Sequence, residues 1–146
     1  MKRLLAATAT LSLLAAAAGP ALAAPPKNAP CKAPAGATLI KPGAKAVESN
    51  PDTPVGALNE TASEAGSFVL DLGGKPEGAV GKLTFTLSWA NPASDYDLIV
   101  GGTNDLATDN PEVRTFKAKH CKAVPVEVGV YLGLPVDGLT LAVKGA

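Results

Sequence analysis

Two groups of side chains in this chain have types and spacing that could do chemistry. The first is a run of acids, Asp95, Asp97, Asp105, Asp109 and Glu112, in one short stretch. The second is the pair His120-Cys121, the only histidine beside one of only two cysteines, the other being Cys31. Calcium takes six to eight oxygen ligands from carboxylates and loop carbonyls. Asp95, Asp97, Asp105 and Asp109 are the candidate ligands for such an ion, the one cofactor these acids could hold. Asp95 and Asp97 are two residues apart, so on a strand they share a face. An EF-hand does not fit, because Ile99 occupies the next ligand place and no glycine turn follows in register. Paired carboxyls could also hydrolyse a glycoside, but that chemistry needs them facing across a cleft roughly 5 to 9.5 Å apart. Alternating acids on one strand show no cleft. The structural alternative is that Asp95 caps the turn after Pro92 and Asp97 bonds to backbone N–H groups of a neighbouring loop.

A Cys/His pair could be nucleophile and base, or a pair of metal ligands. A nucleophilic thiol must be free, and adjacent residues on an extended chain point apart. Zinc needs four ligands, or three plus water. Cys31, His120 and Cys121 offer at most three, with no Cys-x-x-Cys spacing. The expectation is a surface histidine next to a disulfide. A Ser-His-Asp triad would have to use His120, and no Gly-x-Ser-x-Gly elbow accompanies it. No phosphate-binding or dinucleotide glycine motif is present.

The elements that would position these groups begin after the first 23 residues. Lys2-Arg3, an uncharged apolar run from Leu4 to Ala18, a Gly19-Pro20 break and Ala21-Leu22-Ala23 form the plan of a secretory signal peptide. The domain reading is a signal peptide over 1–23, an extended Pro/Ala/Gly-rich arm over 24–60 and a β-sandwich over 61–146. The chain has 13 basic and 13 acidic residues. Loss of Lys2 and Arg3 leaves 11 against 13, a mature charge of −2 with no basic block. That excludes the electrostatic footprint of nucleic-acid binding. No second apolar run is long enough to span a bilayer, so no stable membrane span is expected after cleavage. Export to an oxidising compartment makes Cys31–Cys121 a disulfide, pinning the arm to the body of the fold.

Within the arm only Ala37 to Ile40 reads as a short strand. From Ser67 onward, strand-like runs alternate with Gly, Pro, Asn and Asp turns. Ser67 to Leu72 places Phe68, Leu70 and Leu72 on one face. Lys82 to Trp89 alternates cleanly, with Leu83, Phe85, Leu87 and Trp89 against Thr84, Thr86 and Ser88. Tyr96, Leu98 and Val100 share a face after the Asn91-Pro92 turn. Glu112 to Ala118 alternates weakly. Val124, Val126, Val128, Val130 and Leu132 point inward, and Leu139, Leu141 and Val143 close the chain. Tyr131 and Lys82 have the opposite, outward phase. With no sustained helical period, the pattern predicts an all-β protein, an antiparallel β-sandwich. Trp89, Asp95, Tyr96 and Asp97 form its structural corner.

The stretch LTFTLSWANPASDYDLIV, Leu83 to Val100, resembles the bacterial pre-peptidase C-terminal domain: an alternating strand ending in Trp, a short turn, then Asp-x-Asp-Leu opening the next strand. Glu112-Val113 and Leu139-Thr140-Leu141 match softer features of that family. His120-Cys121-Lys122 stands where the family has Gly-x-Tyr, and Leu139 replaces an aromatic. The resemblance implies a jelly-roll-like sandwich, secretion and a non-catalytic character. Members of the family typically follow a peptidase unit, act in adhesion, folding or targeting, and in some cases bind calcium. The expected function is a secreted or envelope-located module, not an enzyme, that binds a protein or polysaccharide. The alternatives are a small secreted hydrolase using the acids from Asp95 to Glu112, or a structural envelope protein.

Overall fold

Leu83, Phe85, Leu87 and Trp89 make one face of a strand apolar, so burial of that face dictates a second layer opposite it. In a computed structural model of the protein, which describes residues 30–54, 56–57, 62–76, 78–104, 108–133 and 138–146, all four side chains are buried. The described residues form nine strands: β1 (Ala37–Ile40), β2 (Val47–Ser49), β3 (Gly56–Ala57), β4 (Ala62–Leu70), β5 (Val80–Trp89), β6 (Asp95–Val100), β7 (Glu112–Lys119), β8 (Ala123–Gly133) and β9 (Leu139–Gly145). None of the described residues is helical.

The strands lie in two sheets. One has the order β2-β9-β5-β7 and is antiparallel throughout. In the other, β8 is central, with β4 on one edge and β6 on the other, and β1 pairs in parallel with β4. Leu132 of β8 faces Asp95 of β6 on one side and Ala57 of β3 on the other, so β3 continues the line of β4. The fold is therefore the expected all-β sandwich. From β4 to β9 every step along the chain crosses to the opposite sheet, and no two strands consecutive in sequence pair with each other. The facing surfaces interlock through side chains such as Phe68, Leu70, Phe85, Leu98, Val126 and Leu141. Phe68 and Phe85 meet edge to face across the layers, centroids 5.7 Å apart.

Three strand readings change. The segment 24–60 contributes β1, β2 and β3 to the sandwich, and Ile40 enters the core. Val47-Glu48-Ser49 is too short to show a period, so β2 is invisible to pattern reading. Strand β4 starts at Ala62 rather than Ser67, because a register shift between Glu64 and Gly66 interrupts its alternation. Leu132, expected inward, is half exposed. Asp95 pairs with Leu132 but Tyr96 pairs with Val130, so Tyr131 is an extra residue in β8. An extra residue reverses the phase beyond it. Tyr131 and Leu132 turn to solvent, and Gly133 turns inward, where an added Cβ would sit 2.6 Å from Tyr96 Oη. Residues 1–23, the expected signal peptide, lie outside the described residues.

This phase reversal sets a stability contrast. Leu141→Ala, at a fully buried site, costs about 2–5 kcal/mol, whereas Leu132→Ala costs no more than about 0.5 kcal/mol. Urea denaturation of both variants checks it, and a large loss at Leu132 would return that side chain to the core.

Candidate functional site

The corner between β5 and β6 is fixed by its aromatic residues. Trp89 is buried at the end of β5, and its indole N–H donates to the carbonyl of Ser94 at 2.8 Å. The rings of Trp89 and Tyr96 pack edge to face at 5.5 Å. The turn itself is capped by Asn91, not Asp95. Asn91 Oδ1 accepts the Ala93 N–H at 3.0 Å, and its carbonyl accepts the Ser94 N–H. Asn91 holds the first turn position, from which a short carboxamide reaches two residues ahead. Asn110 lies opposite Trp89 in the continued β5–β7 register. Its amide donates to the Trp89 carbonyl at 2.9 Å, extending the ladder past the cis Asn110-Pro111 bond.

Of the acids, Asp97 stands on the outer face of its sheet but is only 3% exposed. Its cross-strand partner is Gly129, whose missing side chain leaves room for the carboxyl. Asn104, in the segment after β6, hydrogen-bonds to it. Burial raises the Asp97 carboxyl above its ordinary 3.8; the Asn104 bond pulls it back, and the charge of Asp95 pushes it further up. Asp95 Oδ1 and Asp97 Oδ2 are buried without a hydrogen-bond partner in the protein. Among the described residues these two oxygens would supply only part of the six to eight that calcium takes. Asp109 is exposed, and Asp105 lies outside the described residues.

Glu112 does something the sequence did not reveal. It is buried at the start of β7, on the same inward phase as Arg114, Phe116 and Ala118. Its carboxylate accepts the backbone N–H of Leu98 at 2.7 Å. Arg114 Nη1 donates to the Leu98 carbonyl at 2.8 Å and to the carbonyl of Thr103. Both backbone groups of Leu98 that point away from β8 are thus held by charged side chains of the other sheet. Val100 and Thr103 bond reciprocally at 3.0 and 3.1 Å, occupying the next outward-facing pair of β6.

Cys31 and Cys121 form the expected disulfide, Cα atoms 5.2 Å apart. His120 is not on the surface: it is 2% exposed. It sits in the turn between β7 and β8, closed by the Lys122 N–H on the Lys119 carbonyl. This turn is docked on the body of the fold, because the His120 N–H donates to Ala79 and the Cys121 N–H to Leu70. Cys121 is left-handed, φ 61°, so the two residues do not point apart as on an extended chain. Cys121 Sγ instead lies 3.3 Å from His120 Nε2. Nδ1 of the same ring lies 3.1 Å from the Leu72 N–H and 3.2 Å from the Leu70 carbonyl. Among the described residues, Cys31, His120 and Cys121 are the one group of three potential metal ligands brought together, their ligand atoms all within 4.8 Å of one another.

No protein family, curated protein or solved structure matches this chain.

Two outcomes follow from the acids. Glu112→Ala strands the buried Leu98 N–H and lowers stability by about 1–3 kcal/mol, while Glu112→Gln, which keeps an acceptor oxygen, loses less; chemical denaturation measures both. Asp97 binds its proton more tightly folded than unfolded, so its contribution to stability is full below pH 3.8 and is lost as pH rises through the raised folded value. Asp97→Asn should therefore melt above the parent at pH 7, with the gap closing below pH 3.8. A gap that is the same at both pH values would contradict this.

Proposed function

We propose that this chain is an exported, non-catalytic binding module, a β-sandwich resembling the pre-peptidase C-terminal domain, whose ligand is an anionic polysaccharide. The observation that carries the reading is a groove of about 330 Å³ between the C-terminal part of β7 and the start of β8. Phe116, Gly101 and Pro125 line it together with Lys117, Lys119 and Lys122, three exposed lysines. No acidic residue is among the described residues that line it, although acids outnumber bases in the chain once Lys2 and Arg3 are removed. A half-buried aromatic ring beside exposed lysines suits a sugar carrying carboxylate or sulfate groups, with apolar contact to the ring and charge pairing at the rim. The disposition of the acids supports a non-catalytic role: Glu112 is engaged with backbone and Asp97 is sealed from solvent. A disulfide suits an exported protein, and among the described residues no helix is long and apolar enough to cross a membrane.

The test is calorimetric titration of the mature chain with polygalacturonate, with dextran as the neutral polymer and poly-glutamate as the peptide polyanion. Binding of polygalacturonate, with at least a tenfold loss on Lys117→Glu/Lys119→Glu and weakening as salt rises, is the expected result. Unchanged binding by the double variant, or equal binding of dextran, overturns the groove. Binding of poly-glutamate alone moves the ligand to a different class and overturns the polysaccharide.

A further inference from the structure

We propose that the dithiol form of this protein binds a thiophilic divalent cation, with Zn²⁺ as the probe, through Cys31 Sγ, Cys121 Sγ and His120 Nε2, so that disulfide and metal are alternative ways of closing the same joint. The inference is independent of the polysaccharide groove.

The three ligand atoms are already gathered within 4.8 Å of one another. Zinc with Zn–S of about 2.3 Å and Zn–N of about 2.0–2.1 Å in tetrahedral geometry separates sulfur and nitrogen ligands by roughly 3.5 Å. Cys121 Sγ and His120 Nε2 stand 3.3 Å apart. The two Cα atoms of the cysteines, 5.2 Å apart, are joined to flexible Cβ–Sγ arms, so parting the sulfurs around an ion is a side-chain movement. Three protein ligands leave a fourth place for water, the arrangement of an open zinc site.

The imidazole is prepared for this role by its surroundings. Nδ1 faces a donor, the Leu72 N–H at 3.1 Å, and an acceptor, the Leu70 carbonyl at 3.2 Å. A neutral imidazole uses one or the other. With Nδ1 bare, it accepts from Leu72 and the proton is on Nε2. With Nδ1 protonated, it donates to Leu70 and leaves Nε2 a free lone pair; Cys121 Sγ, 3.3 Å from Nε2 and 3.5 Å from Nδ1, lies against the ring, so its thiolate would meet an ion at Nε2 by turning about its own Cα–Cβ bond. The second state is the arrangement by which metal-bound histidines are held, the remote N–H on a backbone carbonyl. Asp71 Oδ1, 4.0 Å from Nδ1, favours that proton position further. A ring that is 2% exposed has no other place to swing to. The left-handed backbone at Cys121, φ 61°, is a conformation that residues other than glycine uncommonly adopt, and here it brings the sulfur onto the ring.

The chemistry balances with an external dithiol as reductant. Its two thiols supply two electrons and two protons to the Cys31–Cys121 bond, giving two cysteine thiols and leaving as a cyclic disulfide. Zn²⁺ then displaces the two thiol protons and takes the His120 lone pair, and the two thiolates neutralise its charge.

The test uses the full mature chain, reduced with a dithiol and then freed of it without air, alongside the oxidised protein. Co²⁺ added to the reduced chain should give a thiolate-to-cobalt charge-transfer band saturating at one ion per chain. Zn²⁺ should displace the cobalt and bleach the band with no further proton release, whereas Zn²⁺ added to the metal-free reduced chain should release two protons per chain. The oxidised protein should give neither signal. Cys31→Ser should lose the band, and His120→Gln should bind at least tenfold more weakly. No charge-transfer band in the reduced chain overturns the proposal, as does equal affinity in His120→Gln. Should reduction unfold the chain, Zn²⁺ must restore the native environment of Trp89, read by its fluorescence; a chain that stays unfolded with Zn²⁺ present also overturns it.

Discussion

Leu98 presents one N–H and one C=O along the free edge of β6, and both are taken by side chains that rise from the opposite sheet. Glu112 holds the N–H and Arg114 holds the C=O. An exposed strand edge is a template for pairing with another chain, and here it is blocked at its centre by two charged residues. The same two bonds join the margin of one sheet to the margin of the other. The hydrophobic contact between the layers is nondirectional; these bonds are directional and specify how β7 sits against β6. Because every step from β4 to β9 crosses between sheets, no hairpin exists to set that relation locally. The edge clasp performs the aligning that a tight turn performs in other sandwiches.

This clasp also accounts for what could and could not be read from the sequence. Strands β5 and β9 were legible because their inward positions face apolar side chains, so period-2 alternation is complete. Strand β7 read weakly because two of its four inward positions, Glu112 and Arg114, face a backbone edge rather than a core. Charge at an inward position looks like a broken pattern until the partner is known to be a peptide group. Proximity in sequence therefore groups Glu112 with the acids of a site, whereas its partner, the Leu98 N–H, lies across the sandwich on β6. The corner residues Trp89 and Tyr96 were legible because both obey the strand phase. The turn cap was not, since Asn91 and Asp95 are both competent and only the turn geometry chooses between them. Leu132 was misplaced by an insertion of one residue opposite Tyr96, which no period can announce.

The Cys-His pair shows a different limit. The disulfide followed from export and a count of two. The burial of His120 did not, because it arises from a docked turn whose anchors are Ala79, just before β5, and Leu70, at the end of β4. Adjacent residues are expected to diverge only if the chain is extended, and a left-handed Cys121 removes that condition. What looked like a surface histidine beside a bridge is the packed centre of a joint between β4, β5, β7 and the N-terminal segment.

That joint governs how the molecule would carry mechanical load. Tension applied at the two ends of the chain enters the fold at Cys31 and passes through the sulfur atoms directly to Cys121, a covalent bypass of 90 residues. Strands β1 to β7 lie wholly inside the bypass and cannot be drawn out by such a pull. Only β8 and β9 are in the line of force. Each of these sits between neighbours on both edges: β8 between β4 and β6, and β9 between β2 and β5. A tethered sandwich of this kind can lengthen by little more than the span of its last two strands, so a strained attachment leaves the greater part of the domain standing.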